Sequence, residues 1–549
     1  MTTTVIARPQ PYLPKLLRRV GLLRACALLL ALMVGAPLLV IAFSWGDVNA
    51  EIWLHLAQTQ LFRLLGNTFV LVLGVAVLVL LIGVPLAWFT ATCDFPGRRV
   101  FDVVLMLPLA VPAYVMAFVM VGLLDYAGPV QGALRDWFGP QLSFSFRGTF
   151  PVVLVMSLVL YPYVYMLARS AFLSQGREPL EAARVLGYGP LQGFLRVALP
   201  MARPAIIAGL SLALMETLAD FGAVAVFNYD TFTTAIYKAW YGFFDLQTAA
   251  QLASLLLVIV LSGLYLERSG RGSARYFQNG RRRNSSARIA LSGSRAWLVS
   301  AWCGLVFLVA FVIPVGHLLL WIIQGAWRGL DERYLGLVGH TLTLAAIAAV
   351  VTVIAAFLLA LYRRTYKGAL SGGIVRLATV GYALPGSVLA VGIMLSFNWL
   401  DAWAAQLQTA LGLSVQPIFV GGVLALLLAY TTRFLAAAFG PVETSLDRIK
   451  PSIPEAAAIL GARPPEIVRR IYLPMLAPGL LTAALLVFVD VMKEMPATLL
   501  MRPFGWDTLA VRIYEMTSEG LWQQAALPGL SIVLVGLVPV VILVRRSAR

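Results

Sequence analysis

The chain is predicted to be an all-α integral membrane protein of about twelve transmembrane helices in two homologous six-helix bundles. Of its 549 residues, 60% are hydrophobic and 12% charged, and mean hydropathy is +0.85, far from a soluble composition. Apolar runs of about 18 to 25 residues, each able to cross roughly 30 Å of hydrocarbon as a helix, recur along the whole length. Landmark residues also repeat at a spacing of 273 or 274. Asn67-Thr68 corresponds to His340-Thr341, Pro112 to Pro385, Glu181 to Glu455, and Thr234 to Thr508.

In order, the predicted spans are 20–43, 66–91, 101–124, 149–172, 204–226 and 247–266, then 297–323, 341–362, 375–399, 418–439, 478–500 and 523–544. The first has a basic flank like a signal peptide but is too long for a typical signal core, so it is read as a retained span. Pro108, Pro112 and Pro385 mark bends inside the third and ninth spans. The domains are therefore placed at 1–266 and 297–549, joined by the Arg-, Gly- and Ser-rich segment 267–296, which has the composition of a solvated linker near a charged surface. Parallel internal repeats of this kind are a transporter architecture.

A formal net charge of +17 would suit nucleic acid, yet the basic residues cluster in short segments between spans, so no nucleic-acid partner is expected. Lys15, Arg18, Arg19 and Arg24 precede the first span; Arg363, Arg364, Lys367 and Arg376 follow the eighth; Arg545, Arg546 and Arg549 follow the last. These segments are expected to be cytoplasmic, as are both termini. The alternate loops, around Asp47 and Glu51, Asp230 and Asp245, Asp401, and Asp507 to Glu519, are acidic. Cys26, Cys93 and Cys303 are too scattered for a disulfide framework. His55, His317 and His340 show no ligand spacing, so no metal site is expected.

The most specific signal is a polar segment that occurs twice: EAARVLGYGPLQGFLRVALP from Glu181 and EAAAILGARPPEIVRRIYLP from Glu455. Ser452 and Glu455 have capping-box spacing, alanines propagate a short helix, Gly461 suits a left-handed end, and Pro464-Pro465 restart a second helix that Pro474 separates from the next span. The first copy follows the same plan with Gly187, Pro190 and Pro200. These residues resemble the EAA loops of permease subunits in binding-protein-dependent ABC importers, placed here at about 175–203 and 441–477; Val197 departs from the family's Ile. The resemblance implies a type I ABC importer permease fold in the bacterial inner membrane. It also implies two copies of a cytosolic ATPase, one facing Glu181, Ala182, Ala183 and Gly187 and the other Glu455, Ala456, Ala457 and Gly461, together with a periplasmic solute-binding protein.

None of the lysines (Lys15, Lys238, Lys367, Lys450, Lys493) follows a glycine, so no P-loop is present. The chain is expected to have no catalytic or cofactor site; ATP and Mg would be bound by the partner ATPase. The span after each EAA segment carries acids that are costly in lipid: Glu216 with Asp220, and Asp490 with Glu494. Spaced four apart, each pair is expected on one helix face. They either line a cation pathway or gate, or form interhelical ion pairs with Lys493, Arg169 or Arg433.

ETLADFGAVAVF with DTFTTAIYKAWY, and DVMKEMPATLL with DTLAVRIYE, look like segments of fused permeases for ferric iron. Related permeases for thiamine, polyamines or phosphonates remain open from the residues. An ion-coupled secondary transporter, the rival from another class, leaves the duplicated loop unexplained.

Overall fold

The computed structural model describes residues 21–139, 141, 143–175, 178–271 and 288–547. Lys15, Arg18, Arg19, Arg549 and most of the 267–296 segment lie outside the described residues. The principal helices of the first half are α1 (Gly21–Phe43), α2 (Leu61–Thr92), α3 (Arg98–Val104), α4 (Ala113–Leu124), α5 (Thr149–Gln175), α6 (Glu178–Val185), α7 (Leu199–Ala219), α8 (Gly222–Val226), α9 (Phe232–Phe243) and α10 (Leu246–Arg271). The second half repeats them one for one. They are α11 (Ser294–Ile323), α12 (Glu332–Thr365), α13 (Ala369–Thr379), α14 (Gly386–Ala410), α15 (Val423–Asp447), α16 (Ser452–Ile459), α17 (Leu473–Met492), α18 (Pro496–Met501), α19 (Leu509–Ser518) and α20 (Ala526–Ser547). Among the described residues eleven helices are long and apolar enough to cross a membrane, and Ala526–Ile542 is a shorter twelfth.

Four predicted spans are broken helices. Spans 101–124 and 375–399 each divide into a helix, a 3₁₀ turn (Leu107–Ala110; Val380–Ala383) and a second helix entered through Pro112 or Pro385. A residue preceding proline is pushed out of the helical region, and Val111 and Leu384 are extended, with ψ of 115° and 136°. Spans 204–226 and 478–500 divide after Ala219 and Met492. Conversely, Pro474 separates nothing. A π-helical turn over Val468–Tyr472 leads directly into α17, its wider spacing leaving room for the proline ring.

In each half the same three long helices form the centre: α2 with α5 and α7, and α12 with α15 and α17. The halves also exchange helices. α1 packs on α13 and α14, whereas α11 packs on α3 and α4. One buried cluster consequently joins Leu71, Val115 and Tyr161 to Ala310, Leu318 and Val533, and the other joins Ala27, Ile41 and Ile236 to Leu344, Tyr430 and Val487. Lipid tails are as apolar as these side chains, so close packing rather than water exclusion selects the contacts.

Gly209 illustrates the closeness: a Cβ there would lie 2.7 Å from Val164 Cα and 2.8 Å from Tyr163 O on α5. Gly209→Val is expected to force α7 off α5 and cost about 1–3 kcal/mol. Gly316→Val, which meets nothing within 4 Å, is the control. Thermal unfolding in detergent measures both, and equal melting temperatures would refute the close-packing assignment.

Arg169 on α5 holds Asp102 through two hydrogen bonds of 2.5 and 2.6 Å. It is therefore engaged at α3 and pairs with none of the acids near the span breaks.

Candidate functional site

The two EAA helices, α6 and α16, end alike. Gly187 and Gly461 adopt φ of +84° and +86°. Tyr188 N donates to Ala183 O and Ala462 N to Ala457 O, both at 3.0 Å, while the glycine amides donate to Arg184 O and Ala458 O. This pattern is a glycine-dependent helix stop that satisfies the last carbonyls. The helix starts differ from the expectation: α16 begins at Ser452 with Pro451 at its N-cap, and no side chain caps it. Pro451 already turns the chain into helical geometry (φ −56°, ψ −30°), so Ser452 lies inside the helix.

Glu181, Ala182, Gly187, Ala456 and Gly461 are exposed, and Glu455 and Ala457 are half-buried. Ala183 is 3% exposed, so it faces inward and offers no outward contact. The largest apolar surfaces on these loops were not singled out from the sequence. Val185 and Leu186 are 88% and 75% exposed, and Ile459 and Leu460 are 87% and 88% exposed. Their signal was an apolar pair placed immediately before each glycine in an otherwise polar loop.

The four acids meet in a cavity between the halves, about 120 Å³ in volume, with Tyr163, Tyr382, Arg433 and Lys493 also in its wall. The acids of each pair do not share one helix face, because α7 ends at Ala219 and α17 at Met492. Beyond the breaks the chain restarts as α8 and α18, and the second acid of each pair receives the new helix. Asp220 Oδ1 accepts from the amides of Ala223 and Val224 at 3.0 and 3.2 Å. Glu494 accepts from those of Ala497 and Thr498 at 3.2 and 3.1 Å. A broken helix in a membrane needs such partners, since lipid supplies none.

Charge separates the halves. Arg433 Nη1 donates to Glu494 Oε1 at 2.8 Å, and Lys493 Nζ lies 2.9 Å from Asp490. At the repeat spacing, Arg433 corresponds to Val159 and Lys493 to Ala219, so the first half has no cation at either place. Among the described residues, no ion pair involves Glu216 or Asp220. The cavity thus has two salt-bridged acids on one side and, on the other, two acids that form no ion pair among the described residues, Glu216 within the field of Arg433 and Lys493 and Asp220 with no cation acting on it. Among the described residues, no three His, Cys, Asp or Glu side chains form a metal-ligand cluster.

Residues 83–266 and 352–549 both match the binding-protein-dependent transport system inner membrane component family. The chain belongs to that family. Across 94% of its length it is 27% identical to the Fe(3+)-transport system permease protein FbpB 2 of Haemophilus influenzae, covering 97% of that relative. It is 32% identical to the molybdenum transport system permease protein ModB of Escherichia coli over 34% of this chain and 88% of the relative. It is 33% identical to the sulfate transport system permease protein CysW of Escherichia coli over 40% of this chain and 73% of the relative. The protein is thus a multi-pass inner-membrane permease of an ABC importer, working with a binding protein and with an ATPase partner that hydrolyses the ATP.

This permease brings together all four acids predicted for the pathway or gate, and pairs Glu494 with Arg433 and Asp490 with Lys493. It exposes most EAA residues on two equivalent projections and withdraws Ala183.

Proposed function

We propose that this permease admits a solute from its binding protein into the cytoplasm by alternating access, and that the solute is ferric iron. Two copies of the ATPase engage the α6 and α16 projections, through Glu181, Ala182 and Gly187 on one and Glu455, Ala456, Ala457 and Gly461 on the other. Both termini and the EAA loops face the cytoplasm. The domains are 1–266 and 297–549, joined by the segment 267–296.

The observation that supports a cation is that Glu216 and Asp220, in the wall of the shared cavity, form no ion pair among the described residues. A passing cation gains charge attraction there without meeting a closed ligand cage, so it is not trapped. The full-length likeness to a relative named for Fe(3+) transport agrees with that charge. An oxyanion such as sulfate, for which one relative is named, would need Arg433 and Lys493, and both are already paired.

Uptake of radiolabelled ferric iron is the test, in cells with this transporter as their sole ferric route. Glu216→Gln with Asp220→Asn is expected to lower uptake on the order of tenfold, the loss of about 1.4 kcal/mol of charge-assisted contact, while the ATPase stays bound. Unchanged uptake would remove these acids from the pathway. If deleting the permease abolished molybdate uptake and left ferric uptake intact, the ferric reading would fail.

A further inference from the structure

A second cavity, about 590 Å³ in volume, opens beside α16 on the face carrying the EAA segments. Lys367, Ser371, Arg376 and Tyr472 are in its wall, with Pro454 and Glu455 of α16 closing one side. We propose that this cavity binds a phosphate group, held by the first turn of α13, Ser371, Lys367 and Arg376.

The duplication shows how the space arises. Ser371 stands 273 residues after Arg98, and Glu443 stands 274 after Arg169. In the first half Arg98 is itself buried, donates to Thr90 O at 3.3 Å and lies 3.5 Å from Asp94, while Arg169 closes on Asp102. That corner is filled by the protein's own guanidinium groups. In the second half a serine replaces Arg98, Val375 stands at the place of Asp102, and Glu443 replaces Arg169. Glu443 turns to Arg363 at 3.0 Å, and Arg364 donates to the carbonyls of Leu446 and Ile449. Lys367 and Arg376 are exposed, and among the described residues neither forms an ion pair.

Two independent features point to an anion. α13, eleven residues long, begins at Ala369 after Gly368 at its N-cap, with no side-chain cap, so its first amides and helix dipole favour negative charge. Ser371, in that first turn, is 6% exposed, and its hydroxyl has no hydrogen-bond partner among the described residues. A buried hydroxyl without a partner is costly, and a phosphate oxygen at this wall would relieve it. Asp447 and Glu455 line the cavity too, which suits one phosphate and disfavours a polyanion. The source is a phospholipid headgroup or free inorganic phosphate, since basic pockets between membrane helices can accept either.

The experiment uses the full-length permease purified in detergent. Native mass spectrometry is expected to show a retained phospholipid on the wild type that Lys367→Glu with Arg376→Glu loses. Arg99→Glu, an exposed arginine on α3 in the other half, should retain it. In a second arm, lipid-stripped protein is titrated with sodium phosphate while its melting temperature is followed. Stabilisation of the wild type and not of the charge-reversed pair identifies free phosphate as the source. Ser371→Ala is expected to weaken whichever binding is seen about tenfold. Retention of lipid by the charge-reversed pair, or absence of both signals in the wild type, overturns the site.

Discussion

Glu494→Ala is expected to be among the most destabilising single substitutions in this permease, costing about 3–5 kcal/mol. The Glu494 side chain is 1% exposed and that of Arg433 13%, so truncation leaves a guanidinium facing a low-dielectric cavity without its counter-charge. It also removes the acceptor for the amides of Ala497 and Thr498 and for the Thr498 hydroxyl. The surroundings are shaped around the pair: a Cβ at Gly386 would collide with both Arg433 and Glu494. Asp220→Ala removes the equivalent helix-capping acceptor where no cation is stranded, so about 1 kcal/mol is expected there. Replacing both Arg433 and Glu494 with leucine should recover most of the loss, because an apolar pair needs no compensation. Denaturant or thermal unfolding in detergent measures all three. Equal costs for Asp220→Ala and Glu494→Ala would show that the Arg433 pair contributes nothing beyond capping.

The architecture was legible where it is written as composition or spacing. Hydropathy located the spans, and the 273–274 offsets paired α1–α10 with α11–α20. Breaks in the spans were less visible, because a hydropathy window averages across Asp220 and Glu494 and reads each acid as a blemish in one helix. The local signals were present: Gly222 and Pro496 stand two residues beyond the acids, where a new helix begins. Helix exchange was not legible, because α1 and α11 are apolar all round, and lipid gives no preference for one partner helix over another. The choice between Arg169 and Arg433 needed three-dimensional placement, since both lie on equivalent helices and only their depth separates them. Likewise the repeat located the EAA projections, but the family resemblance carried Ala183 outward with the rest of the motif, whereas the turn of α6 rotates it inward.

The apolar pairs at the projection tips carry the other large expected effect. Val185, Leu186, Ile459 and Leu460 are almost fully exposed, on loops of a protein that requires a cytosolic partner. Burying a Leu or Ile contributes about 1.5–3 kcal/mol, so covering one pair is worth about 3 kcal/mol, more than a hundredfold in affinity. Changing all four to aspartate should release the ATPase on purification and abolish transport. The bundle's melting temperature should hold, since these side chains touch little of the fold. Gly187→Val with Gly461→Val reaches the same end by another route. Nothing obstructs a Cβ at either site, so the cost is the left-handed backbone itself, about 1–2 kcal/mol at each turn, and the tips lose their presentation. Changing one loop only should give an intermediate loss, and the two single-loop losses should differ, because Glu181 is exposed whereas Glu455 is half-buried. Co-purified ATPase, quantified per permease, reads every case. A four-aspartate variant that kept its full complement of ATPase would sink the assignment of these tips as the docking surface.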